Sequence, residues 1–167
     1  AAASKITLKS GAAAPSTIYA GHSYTLDVKG AHVMYYSSNK KIATIGLTTG
    51  KLKPTEPGSV KITAKSKKTG KIVAFKTFKV LKRSTSVSTE PKTVYLGKVG
   101  DTAQLKPTLK PANSTDVFSY VSSDKSIAAI GLTSGKMTAR GIGKTTIQVY
   151  AKATKATSSS NKYNKKT

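Results

Sequence analysis

Lysine supplies most of the side chains in this chain that could do chemistry. From Lys61 to Arg83 the sequence places Lys61, Lys65, Lys67, Lys68, Lys71, Lys76, Lys79, Lys82 and Arg83 without one acidic residue among them. A run of this kind draws polyanions from a distance. Arg is the residue suited to bidentate recognition of phosphates and base edges, whereas Lys acts as a point charge. Since Arg83 and Arg140 are the only arginines, the expected partner is an acidic polymer held by charge, such as cell-wall polymer or polysaccharide, and not a specific nucleic acid. The same lysines also have a structural use, because charge on exposed strand edges blocks edge-to-edge aggregation.

The excess is general: 29 Lys plus Arg face 6 Asp plus Glu, for a formal net charge of +23. Residues 1–83 hold 16 basic and 2 acidic side chains, and residues 84–167 hold 13 and 4. Catalysis needs an acid, a base, a nucleophile or a metal brought together, and this inventory is thin. There is no Cys, and His22 and His32 both fall in the first half beside glycines, where they read as surface or rim residues. Asp101, Asp116 and Asp124 could be imagined around calcium, yet their neighbours Gly100 and Ser123 read as turn chemistry. No catalytic residue, no metal site and no cofactor is expected, so the chain reads as a non-enzyme. Tyr19, Tyr24, Tyr35, Tyr36, Tyr95 and Tyr120 could build a sugar platform if exposed together, while Phe75 and Phe78 read as core.

The elements that must position these groups are strands. Thr, Ser, Val, Ile, Tyr and Gly dominate, and no long stretch shows helical spacing of apolar residues. From Gly58 to Lys65, Val60, Ile62 and Ala64 alternate with Lys61, Thr63 and Lys65, the pattern of a half-buried antiparallel strand. Lys67 to Gly70 then reads as the turn of a hairpin that returns through Leu81. In the return strand Val73 and Phe75 differ in parity from Phe78 and Val80, which predicts a bulge near Lys76.

One unit occurs twice. SSNKKIATIGLTTGK, Ser37 to Lys51, returns as SSDKSIAAIGLTSGK, Ser122 to Lys136, and without a gap Tyr35–Ile62 matches Tyr120–Ile147 at 14 of 28 positions with a period of 85. So long a period means whole domains, since solenoid repeats run about 20–50 residues. The expected fold class is all-β, two tandem sandwiches: residues 1–83, residues 84–150 with some of 151–167, and a polar Lys/Ser-rich tail over 151–167. Arg83 to Pro91, rich in Ser and Thr, reads as the linker. The tail lacks the apolar residues that Ile72 to Val80 give the first copy, so the second copy is expected to miss its closing strand, as in a segment cut from a longer array or one that borrows a strand from a partner. No 18-residue apolar run marks a membrane span.

Tyr35, Ser37, Ser38, Asn39, Ile42, Ala43, Ile45, Gly50 and Gly58, repeated as Tyr120, Ser122, Ser123, Asp124, Ile127, Ala128, Ile130, Gly135 and Gly143, resemble the group 2 bacterial immunoglobulin-like domain. Family members often carry Trp at the aromatic position, where this chain has Tyr. The resemblance implies a pair of small immunoglobulin-like β-sandwiches, as found in bacterial surface proteins, S-layer proteins and intimin/invasin-type adhesins. There the domain is commonly a structural spacer, with no catalytic residues to carry over. The implied setting is extracellular, at the bacterial cell surface or cell wall, beside neighbouring domains of a longer chain. The alternatives are an adhesin or carbohydrate-binding module that recognises a specific glycan, and an accessory domain of a phage virion protein or secreted hydrolase.

Overall fold

The computed structural model describes residues 4–152 and 164–166, and within them every regular element is a strand. Among the described residues no helix is long and apolar enough to cross a membrane. The chain divides into two compact units, residues 1–82 and 83–167.

In the first unit, β1 (Ile6–Leu8), β3 (Tyr24–Val28), β5 (Ala43–Ile45) and β6 (Lys51–Pro54) form one sheet in the order β1-β3-β6-β5. The other sheet, ordered β2-β8-β7-β4, takes β2 (Thr17–Tyr19), β4 (Val33–Ser37), β7 (Gly58–Ser66) and β8 (Ile72–Leu81). All pairings are antiparallel except β2 with β8. Alternation along each strand puts its apolar residues between the sheets. Leu26, Val28, Tyr35, Leu52, Val60, Ile62, Phe78 and Val80 are buried there, with Ile18 closing one edge.

The β7–β8 hairpin runs in register from Gly58↔Val80 to Ala64↔Ala74, then shifts so that Lys65 faces Ile72. The extra residue is therefore Val73, and the bulge expected near Lys76 lies three residues earlier. Ala74, Lys76, Phe78 and Val80 all point inward in one unbroken parity, and Phe75 points out. Phe78 is fully buried, whereas Phe75 is 61 % exposed and not a core residue.

The second unit repeats the plan with β9 (Ser86–Ser88), β10 (Thr102–Gln104), β11 (Thr108–Lys110), β12 (Val117–Ser122), β13 (Ala128–Ile130), β14 (Lys136–Ala139), β15 (Ile147–Lys152) and β16 (Asn164–Lys166). The strands pair as β10-β14-β13, β11-β9 and β12-β15-β16. Two expectations are corrected. The stretch from Arg83 to Pro91 is not a bare linker, because Val87 on β9 is buried and Ser86–Ser88 pairs with β11. Nor does this unit lack a closing strand, since β16 pairs antiparallel with β15, Val149↔Lys166 through Ala151↔Asn164. The rest of the expected polar tail, residues 153–163 and 167, lies outside the described residues.

The repeated motif proves to be the joinery of both units. Ser37 Oγ donates to the Ala43 carbonyl at 2.7 Å, and Ser122 Oγ to that of Ala128 at 2.6 Å, tying β4 to β5 and β12 to β13. Ser38 Oγ accepts from the Lys61 amide, and Ser123 Oγ from the Thr146 amide. Asn39 and Asp124 each accept the amide two residues on, an Asx turn. Gly50 and Gly135 hold φ of +70° and +67°. A Cβ on Gly50 would sit 2.4 Å from the Leu26 carbonyl oxygen, so only glycine lets the turn close on the sheet.

Candidate functional site

Parity on β7 and β8 decides which lysines share a surface. Cross-strand pairing puts Tyr36, Thr63 and Phe75 in one row across β4, β7 and β8, on the side of the sheet away from the core. The next row holds Met34, Lys65 and Ile72, and the one on the other side holds Lys61 and Thr77. Lys61 and Lys65 are thus diagonal neighbours of the aromatics, within reach for long side chains. Lys61 Nζ lies 4.2 Å from the Phe75 ring centroid and Lys65 Nζ 5.0 Å from that of Tyr36, both cation–π contacts. Tyr36, Phe75 and Ile72 remain 39 %, 61 % and 59 % exposed. The result is an exposed aromatic and aliphatic surface with ammonium groups held at the ring faces.

The remaining sequence candidates distribute themselves around this face. Lys79, opposite Ser59, is exposed with the same outward parity. Lys67, Lys68 and Lys71 surround the hairpin tip, which Ser66 organises by accepting the Lys68 and Thr69 amides. Lys76 takes an inward position opposite Ile62, half-buried, with its Nζ 6.0 Å from the Phe78 ring centroid. It does not belong to the outer face. Lys82 pairs with Glu56 at 3.0 Å, and Arg83 lies in the second unit, where its Nε donates to Asp116 at 2.8 Å. These last two are engaged in holding their own units together, so seven of the nine candidates fall to the first unit without an ion pair among the described residues.

The imagined calcium ligands are placed apart, each in local structure. Asp101 accepts the Lys98 amide, Asp124 binds Ser126, and Asp116 is buried against Arg83 and Ser84. No group of three metal-ligating side chains occurs among the described residues. His22 and His32 are exposed, His22 edge-on to Tyr19 at 6.3 Å. Of the tyrosines, Tyr35 and Tyr120 are core: burial raises both phenols above their ordinary value, assisted at Tyr35 by the charge of Asp27, so both stay protonated. Tyr36 alone joins the outer face. Phe75 was masked to sequence reasoning by its apolar neighbours, and the usable signal was its odd distance from Phe78.

A model of the Bacterial Ig-like domain (group 2) matches residues 3–76 and, separately, residues 83–160. Among solved structures, domains 1-6 of surface layer protein SbsC align with 98 % of this chain and 27 % of that fragment, at 18 % identity and a TM-score of 0.39. Domains 4 and 5 of the same S-layer protein align over 97 % and 94 %, at 18 % identity and 0.41. The C-terminal 282-residue fragment of intimin, solved with the intimin-binding domain of its translocated receptor, aligns over 86 % and 55 %, at 19 % identity and 0.43. This chain spans about a quarter of the first of these fragments. No curated protein sequence matches it.

Proposed function

Since the chain belongs to the group 2 bacterial Ig-like family, with two tandem copies, we propose that it is a non-catalytic structural segment of a bacterial cell-surface protein whose first unit rests on acidic cell-wall polymer. The observation that carries this reading is the concentration of Lys61, Lys65, Lys67, Lys68, Lys71 and Lys79 on one sheet face and hairpin tip, with no carboxylate paired to them among the described residues. Charge clustered on such a face raises the local concentration of a polyanion and leaves the core untouched.

The test is sedimentation of the full chain with purified bacterial cell walls across a salt series. The chain is expected to pellet at about 0.01 M salt and to be released at about 1 M, as the screening length falls from about 30 Å to about 3 Å. Failure to pellet at low salt would remove the polymer from the account and leave the structural role alone.

A further inference from the structure

The lysines alone would serve any polyanion, but two of them are tied to exposed rings, and bare phosphate attraction gives no reason for the rings. Tyr36 and Phe75 stand two strands apart in one row, about 10 Å at ordinary strand spacing, a span that matches the first and third rings of a trisaccharide. Between them lies only Thr63, a short side chain with a hydroxyl that can donate or accept. The row is therefore low at its centre and aromatic at both ends, with the Lys61 and Lys65 ammoniums over the ring faces and the rings otherwise open to solvent.

We infer that the outer face of β4, β7 and β8 is a binding platform for an acidic polysaccharide whose sugar rings carry carboxylates. In this arrangement the C–H faces of the first and third sugars lie on Tyr36 and Phe75, and Thr63 Oγ1 meets a hydroxyl of the sugar between them. The ammoniums of Lys61 and Lys65, which lie over the ring faces in the free chain, are drawn off them to the carboxylates of the sugars that take their place. Charge complementarity selects an anion, and the rings select sugars among anions, because a polymer of linear phosphodiesters or polyphosphate has no apolar ring face to stack. Among its described residues the second unit does not repeat this row. Its corresponding positions hold Val121 opposite Gln148, and the Tyr150 hydroxyl is already bonded to Gln148 Oε1 at 2.5 Å.

This inference rests on the polyanion reading above, and its test separates the two. Affinity of the full chain is measured for polygalacturonate, for inorganic polyphosphate and for neutral dextran, with the wild type and with Tyr36→Ala/Phe75→Ala. Both side chains are exposed, and a circular-dichroism melt checks that the double variant is folded. The expected result is a loss of about tenfold for polygalacturonate, the scale of two lost ring contacts, with polyphosphate binding unchanged and dextran binding absent. Lys61→Gln/Lys65→Gln is expected to weaken both anionic polymers. If the aromatic double variant binds polygalacturonate as the wild type does, or loses both anions equally, the platform is refuted while charge-driven attachment stands. If neither anion binds at low salt, the polyanion reading falls with it. Dextran bound as tightly as polygalacturonate would also overturn the acidic specificity.

Discussion

The two units are built from one motif and diverge on one face. Across β4, β7 and β8 the first unit shows solvent Tyr36, Lys61, Lys65 and Phe75, whereas the positions matching Tyr36, Lys61 and Lys65 hold Val121 on β12, Thr146 just before β15, and Tyr150 on β15. Beneath these faces the joinery is the same: Ser37 and Ser122, Ser38 and Ser123, Gly50 and Gly135 perform the same tasks at nearly the same distances and angles. Residues kept between the copies hold the sandwich together, and those that differ are free to serve a surface. The repeat thus marks structure, and the departures from it mark where function can reside.

The cores differ as well. Among the described residues fifteen buried side chains form the first cluster and four, Val87, Tyr120, Val149 and Ala151, the second, and there the second unit leans more on polar ties. Chief among these is Asp116, whose carboxylate, fully buried, takes the Arg83 guanidinium, the Ser84 amide and the Ser84 hydroxyl at 2.8, 2.9 and 2.6 Å. The first unit has no such clamp among the described residues, its one ion pair, Lys82 with Glu56, being partly exposed. Asp116→Ala should therefore be the largest single loss in the second unit, about 2–3 kcal/mol, reduced from a fully buried pair because Arg83 retains some solvent. Urea unfolding read by amide hydrogen exchange in each unit checks it. A loss confined to the first unit, or none, would break the contrast.

Next in size comes a paired glycine test. Alanine at either turn meets the strain of positive φ, about 1–2 kcal/mol. At Gly50 the new Cβ also strikes the Leu26 carbonyl oxygen, part of the backbone, whereas at Gly135 it meets the Tyr120 ring, 2.7 Å from Cζ. A ring end can shift and a strand carbonyl cannot. Gly50→Ala should thus cost more than Gly135→Ala by about 1 kcal/mol or more, measured as the difference in urea midpoints. The reverse order would show that the two turns are not equivalent in their supports.

The smallest effect depends on acid. Asp124 accepts the Ser126 hydroxyl and amide, which hold its carboxyl below the ordinary 3.8, while Asn39 fills the same place in the first unit and does not titrate. A depressed folded value stabilises fully above 3.8, and that contribution is lost as the pH falls through the lower folded value. Asp124→Asn should leave a protein whose urea midpoint drops less than the wild type's between about pH 5 and about pH 2. An equal drop would assign the acid sensitivity to other carboxylates.

Much of the architecture was legible because the signals were local and doubled. Alternation at Val60, Ile62 and Ala64, and the turn glycines in both copies, announce strands and their ends without tertiary help. What was hidden depended on partners across the sheet. Phe75 reads as core by its chemistry, and only its pairing with Thr63 turns it outward. Arg83 and Lys82 read as members of the basic run, yet Asp116, 33 positions away, and Glu56, 26 away, claim them. The closing strand β16 was unreadable because Asn164, Lys165 and Lys166 carry no apolar pattern, and it is assigned by backbone pairing to β15 alone. Composition gave the charge but could not say which lysines share a face.

The most direct test of the divergence between the two faces is a nuclear magnetic resonance titration of the isotope-labelled full chain with a short oligogalacturonate at moderate salt. The predicted shifts concentrate on Tyr36, Thr63, Phe75, Lys61 and Lys65, while Val121, Gln148 and Tyr150 stay still. Shifts spread evenly over lysines of both units, or centred on β12 and β15, would contradict the account.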